Sequence, residues 1–301
     1  MSNRSVFTAG VLASLAALLL LASSVVAQGS PSPAAVLPPQ AQLQPMPAGG
    51  TEGTAQVNGI DLRYVTYGSG DPVILLHGGL ANGDYWANQI PAWSDAHQLI
   101  VVDSRGHGRS TFDQTPITYD LLAADVLALM DELGLPKASI VGWSDGGIIG
   151  LDIAIHHPDR LDLVVAYGAN FDPSGLIPGA EEDQLFGAYI GQASADYLRL
   201  SPDPSRWEEF LGNIGVMWAT EPSFTPEELG SITTPFLILD GAQEEAIDPA
   251  HTRLMASLIP GSQLMFIPDT GHFAMFERPD EFDAIVSAFL AGDPVEPSPA
   301  Y

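Results

Sequence analysis

The order of apolar and polar positions along this chain changes several times, and each change predicts a different kind of element. Over 56–67 apolar and polar residues alternate on either side of Asn58-Gly59. That predicts an antiparallel hairpin, because Asn-Gly accepts the left-handed backbone of a tight two-residue turn. At Pro72-Val73-Ile74-Leu75-Leu76 the alternation gives way to a continuous apolar run, as in a parallel strand covered on both faces. Similar runs predict strands at 99–102, 140–143, 163–167, 236–239 and 263–267, the last stopped by Pro268, which has no N–H to continue a ladder. Between the strands, apolar residues take up helical spacing at 85–93, 119–133, 147–156, 250–258 and 279–290. Thr118 is the expected N-cap of the second of these helices and Gly134 its stop. Apolar strands separated by helices predict an α/β fold, a mostly parallel sheet with helices on both faces, since parallel neighbours need crossover connections.

Three stretches stand outside this rhythm. Residues 172–230 carry prolines, acids and aromatics at helical spacing with no strand, so they are expected as a helical cap inserted into the domain. Residues 28–50, rich in Pro, Ala, Gln and Gly without periodicity, are expected as a disordered linker. Residues 1–27 combine Arg4, an apolar run over 11–21 and small residues ending at Ala27. That is the pattern of a secretory signal cleaved after Ala27. The apolar run is shorter than the span of about 20 residues that crosses a bilayer; retention as an anchor is the alternative. The organisation read here is a signal at 1–27, a linker at 28–50 and one domain at 51–301, with a secreted or periplasmic destination.

Composition narrows the chemistry. With 46% hydrophobic residues in 301, the chain can bury a full core. The absence of cysteine removes disulfides and thiolate metal sites. Ten basic residues against 37 acidic ones give a formal net charge of −27, a field that repels nucleic acid and anionic lipid. No nucleic-acid partner, and no membrane partner after signal cleavage, is therefore expected.

Candidate chemistry sits where predicted strands end, which is where open α/β sheets place their sites. Four ends stand out: His77-Gly78-Gly79, Gly142-Trp143-Ser144-Asp145-Gly146, the acidic run after Leu239, and Gly271-His272. In the second, glycines flank a serine between a strand and a helix, and a turn that sharp leaves no room for a Cβ beside the serine. A serine hydroxyl needs an adjacent base to become a nucleophile at neutral pH, and the base needs a carboxylate to fix its tautomer. Serine, acid and histidine occur here in that order.

On these motifs, with the loop Asp103-Ser104-Arg105-Gly106-His107-Gly108-Arg109-Ser110, the chain resembles the α/β-hydrolase family over residues 55–292. The resemblance implies Ser144 as nucleophile and His272 as general base. It also implies an oxyanion hole from the backbone N–H of Asp145 and of Gly79, with Leu80 as second choice for the latter. The acid falls at Glu244, three residues after Gly241, where family members commonly have Asp; Glu245, Asp248 and Asp172 are the alternatives. The family reading is a serine hydrolase of esters or related acyl bonds, without metal or organic cofactor, acting on a small neutral or apolar acyl substrate. A peptidase, a lactonase, a carbon–carbon hydrolase or a perhydrolase uses the same residues, and a non-catalytic binding protein is the reading from another class.

Other conspicuous residues receive structural readings. Arg105, His107 and Arg109 resemble a phosphate loop only superficially, His77 is expected to shape its loop, and His156-His157 point apart on a helix. His97 and His251 are expected at the surface. The cap aromatics, among them Phe186, Tyr189 and Trp218, are expected to supply the cap's core and some of the substrate pocket. Asp145, beside Ser144, is expected to disfavour substrates with an anionic acyl part.

Overall fold

The computed structural model describes residues 43–295; the expected signal and residues 28–42 of the expected linker lie outside them. The Asn58-Gly59 hairpin joins β1 (Thr51–Val57) to β2 (Ile60–Tyr67), with Val57 opposite Ile60. The buried apolar runs form β3 (Asp71–Leu76), β4 (His97–Val102), β5 (Ala138–Trp143), β6 (Leu161–Tyr167), β7 (Phe236–Gly241) and β8 (Gln263–Ile267). All eight strands make one sheet in the order β1-β2-β4-β3-β5-β6-β7-β8, antiparallel at β1-β2-β4 and parallel from β4 onward.

The chain leaves β3 to form β4 on one side and later returns to form β5 on the other. This reversal opens a crevice at the carboxyl ends of β3 and β5. Register brings the ends level: Leu76 pairs with Gly142, Trp143 with Tyr167, Tyr167 with Leu239, and Gly241 with Ile267. The residues that follow these ends, His77, Ser144, Gly168 and the acidic run, therefore arrive along one edge of the sheet.

Helices cover both faces. One core contains residues of α1 (Tyr119–Glu132) and α2 (Asp145–His156), including Leu122, Val126, Ile148 and Leu151, and the other gathers Trp86, Trp93, Trp143, Phe273 and Phe282. Thr118 caps α1, its hydroxyl accepting the Leu121 N–H at 3.1 Å, and Gly134 follows with φ +66. The predicted helix at 85–93 is instead a short 3-10 turn, Gly83–Trp86, and a single helical turn, Ile90–Trp93. Pro91 accounts for the break, since it cannot donate to the preceding turn but suits the start of a new one.

Between β6 and β7 the chain builds α3 (Gln184–Leu200) and α4 (Trp207–Thr220), which lie over the crevice. The remaining long helices are α5 (Pro249–Leu258) and α6 (Pro279–Leu290). Residues 43–50 lie against the sheet: the Tyr67 hydroxyl donates to the Pro47 carbonyl at 3.1 Å, and Met46 packs on the second core.

Candidate active site

Ser144 stands between β5 and α2 with φ 53 and ψ −116, a conformation that few residues other than glycine adopt. Its neighbours make the strained turn possible. A Cβ on Gly142 would fall inside the backbone of Gly146, and one on Gly146 inside the carbonyl of Leu76. The Ser144 N–H donates to the Tyr167 carbonyl at 2.7 Å, which fixes the turn to the neighbouring strand.

His272 is almost wholly buried and its backbone is held from three sides. The Trp143 indole donates to its carbonyl at 2.9 Å, Glu245 accepts its N–H at 2.6 Å, and the Tyr167 hydroxyl bonds the Gly271 carbonyl. The residues on either side of Ser144 in space thus also position the histidine. Gly168 leaves room for the ring, since a Cβ there would lie 2.8 Å from His272 Cε1.

Of the four acids considered, Glu244 is the one beside the imidazole. Its Oε1 lies 2.8 Å from His272 Nδ1, at ion-pair distance but without the alignment of a hydrogen bond. The same oxygen accepts the N–H groups of Ala246 at 2.8 Å and Ile247 at 3.1 Å. Asp248 is the N-cap of α5, accepting from Ala250, and Asp172 caps the turn Pro173–Gly175, accepting from Ser174. Burial pushes the Glu244 carboxyl up to about 7, against lowering by Asp240 and the two backbone donors. Burial also lowers the His272 pKa, opposed by surrounding carboxylates, and so favours the neutral ring.

Asp145 opens α2, so its N–H has no helical carbonyl to bond and stays available at the turn. The Gly79 loop approaches closely: a Cβ on Gly78 would lie 3.2 Å from Ser144 Cβ, and one on Gly79 would strike the Asp145 carboxylate and Trp218. Tyr189, from α3, bonds the Gly79 carbonyl and sets the orientation of that loop. Leu80, with φ +66, is buried in the first core.

The Asp145 side chain is buried and fully engaged. Tyr119 Oη donates to it at 2.9 Å, and Trp218 Nε1 from α4 lies 2.9 and 3.1 Å from its two oxygens. Burial raises its pKa to about 6, while these two donors pull it down. Phe186 faces the His272 ring at 6.3 Å and Tyr189 packs on Phe273 at 5.3 Å, so cap aromatics form an apolar wall beside the histidine.

Several residues singled out from the sequence lie elsewhere. Arg105 is fully buried and pairs with Asp125 through two contacts of 2.7 Å. His77 accepts the Ser104 N–H at 3.0 Å and its other nitrogen meets the Gly78 carbonyl at 2.7 Å, so its ring braces the loop. His251, expected at the surface, is buried: it stacks on Phe171 at 4.1 Å and accepts the Phe171 N–H at 3.2 Å. The correction follows from α5, which turns this position inward against Gly175. His97 is half-buried at the start of β4. Sequence reasoning passed over Asp240, a wholly buried acid at the end of β7 beside Glu244; its signal was a charge inside an apolar run.

Comparison with known proteins bears on this arrangement. Residues 71–205 match the family model described as alpha/beta hydrolase fold. RutD of Caulobacter sp. (strain K31) is 30% identical over 243 residues, 73% of this chain and 91% of RutD. The 3-oxoadipate enol-lactonase 2 of Acinetobacter baylyi is 28% identical over 265 residues, 81% of this chain and 98% of the lactonase. Among solved structures, the enol-lactonase of Burkholderia xenovorans LB400 superimposes with a TM-score of 0.66 at 27% identity, over 79% of this chain and all of that one.

Proposed function

Because the chain belongs to the α/β-hydrolase family, we propose that it is an exported serine hydrolase that cleaves esters or related acyl bonds through an acyl-enzyme on Ser144. The observation that carries this reading is the placement of Glu244 Oε1 2.8 Å from His272 Nδ1, on the same sheet edge as the strained Ser144 turn. Each part has a task. The neutral His272 ring takes the Ser144 proton as Oγ attacks the acyl carbon, and Glu244 stabilises the imidazolium that forms. The N–H groups of Asp145 and Gly79 receive the developing oxyanion, in a setting from which the cap excludes water. His272 then protonates the leaving group, and water enters by the reverse path to release the acid.

The substrate class follows from the walls. Aromatic cap residues favour an apolar acyl part, and the Asp145 carboxylate, next to the nucleophile, opposes an anionic one. A neutral lactone meets both requirements; the likeness to two enol-lactonases favours lactone hydrolysis as a second reading on the same residues, and since a lactone of 3-oxoadipate keeps one carboxylate, neutral and anionic lactones are compared side by side.

Fluorophosphonate labelling of the mature protein, lost in Ser144→Ala, tests the mechanism. Turnover of size-matched neutral, anionic and cationic p-nitrophenyl esters, beside a series of lactones, tests the substrate class. Equal rates on neutral and anionic esters would remove Asp145 from the argument. Mass spectrometry of the exported form, expected to begin at Gln28, tests the cleavage.

A further inference from the structure

Asp240 interrupts the apolar strand Phe236-Leu237-Ile238-Leu239 with a carboxyl that has no access to solvent. A charge in such a place is costly unless it is paired or neutralised by a proton. Its oxygens accept the Gly241 N–H at 2.9 Å and the Thr252 hydroxyl at 2.6 Å. Its carboxyl also lies within interaction range of the equally buried carboxyl of Glu244, whose Oε2 has no other partner among the described residues. Two ionised carboxylates facing each other in a buried site repel, whereas one proton between them gives a donor and an acceptor.

The surroundings decide which of the two carries it. Glu244 Oε1 already receives two backbone N–H groups, which favour its ionised form, and it lies 2.8 Å from His272 Nδ1. Glu244 Oε2 is buried, and among the described residues no fixed N–H or O–H donor reaches it. The other titratable groups facing this pair are His272 and the Tyr167 phenol, with Glu245 and Glu277 behind the imidazole. None offers a permanent positive charge that would keep Asp240 ionised, and burial together with Glu244 drives the Asp240 pKa well upward.

We propose that Asp240 is a positioning residue, a neutral carboxylic acid that donates its proton to Glu244 Oε2 and so holds Oε1 against His272. The acid of the site is then a carboxyl–carboxylate pair sharing one negative charge. Asp240 touches neither substrate nor the reacting atoms; it acts through Glu244. The longer Glu side chain at this position, with one more rotatable bond than Asp, gains a fixed orientation from a second anchor.

The inference rests on the Ser144–His272–Glu244 reading, and its test separates the two. Asp240→Asn keeps a donor toward Glu244, whereas Asp240→Leu fills similar space without one. Infrared spectra in H2O and D2O at about pH 9, where the buried carboxyls raised only to about 6 or 7 are ionised, are expected to show the C=O band of a buried carboxylic acid, absent in Asp240→Asn. In kinetics on a neutral p-nitrophenyl ester, Asp240→Leu is expected to lose about 10–100-fold in kcat with little change in KM, the loss of a charge-assisted hydrogen bond. Its acid limb should move to higher pH, because Glu244 loses a donor that favours its ionised form. Asp240→Asn should restore kcat and the limb toward wild type. Persistence of the band in Asp240→Asn, or identical kcat and pH profiles in a folded Asp240→Leu, would overturn the proposal. Should Asp240→Leu not fold, the band in Asp240→Asn still decides. Turnover and labelling retained in Ser144→Ala would instead bring down the mechanism, with the band still reporting where the proton sits.

Discussion

The indole N–H of Trp218, on the cap, reaches both oxygens of Asp145, the residue that follows Ser144, at 2.9 and 3.1 Å. One carboxylate therefore joins the cap, the serine turn and the Gly79 loop. Trp218→Phe removes this donor while keeping most of the ring's apolar volume. A hydrogen bond to a charged group is worth about 1.5–3 kcal/mol, and a loss of that order in urea denaturation is expected at alkaline pH. The sign of its pH dependence is fixed: the donor favours the ionised form, so Asp145 in the variant titrates above the wild-type value of about 6, and the penalty is full above the variant's pKa and fades as pH falls from there to about 6. A penalty that grows toward acid would contradict this assignment.

Glu244 and Glu245 are neighbours with different tasks. Glu244 lies against the imidazole ring, whereas Glu245 accepts the backbone N–H of His272. Glu244→Gln is expected to reduce kcat by roughly 10³–10⁴-fold, as expected when a triad histidine loses its acid. Glu245→Gln should cost less than about tenfold, since an amide oxygen still accepts that N–H. Steady-state rates on one neutral ester decide it, and the reverse order would move the acid to Glu245.

The sheet was legible because its signals are local and repeated. The run at 263–267 became β8 with those bounds, the helix at 279–290 became α6, and the Thr118 cap lies where Ser/Thr/Asp/Asn chemistry places one. Pro91, local as well, splits 85–93 into two separate turns. At the site, motif spacing pointed to Ser144, His272 and an acid near Glu244. The partners of those residues were not legible, because the bonds Trp218–Asp145 and Tyr189–Gly79 join positions 73 and 110 residues apart. His251 shows the same limit: a polar neighbourhood in sequence says nothing of the Phe171 ring that covers it in space.

The loop that carries Arg105 offers a test in which stability and activity separate. Arg105 is buried against Asp125, with contacts to Asp113 at 3.2 Å and the Asn58 carbonyl at 3.2 Å. Arg105→Ala leaves the Asp125 carboxylate buried and without its cation, which typically costs about 3–5 kcal/mol. The double variant Arg105→Met with Asp125→Leu should lose much less than the sum of the single changes. In the fraction that remains folded, kcat should stay near wild type, because the pair bonds to Asn58, Asp113 and each other and not to Ser144, His272 or Glu244. A selective loss of kcat at unchanged stability would return this loop to the active site.

The pH profile follows from the burial of His272 and Glu244 as a pair. Catalysis needs the ring neutral and the carboxyl ionised, so the competent state is the deprotonated one on both groups. Burial raises Glu244 to about 7 and lowers His272, and at 2.8 Å the two titrate together, so the proton taken up belongs to the pair. As pH falls through about 7 the pair binds one proton and kcat/KM should fall with unit slope; as pH rises it should reach a plateau. Glu244→Gln removes the carboxylate that stabilises the imidazolium, leaving a buried histidine whose pKa is lower still. Its residual activity should therefore show an acid limb displaced to lower pH, on a plateau reduced as above. A limb that stays in place in Glu244→Gln would show that the titrating group of the wild type is not this pair.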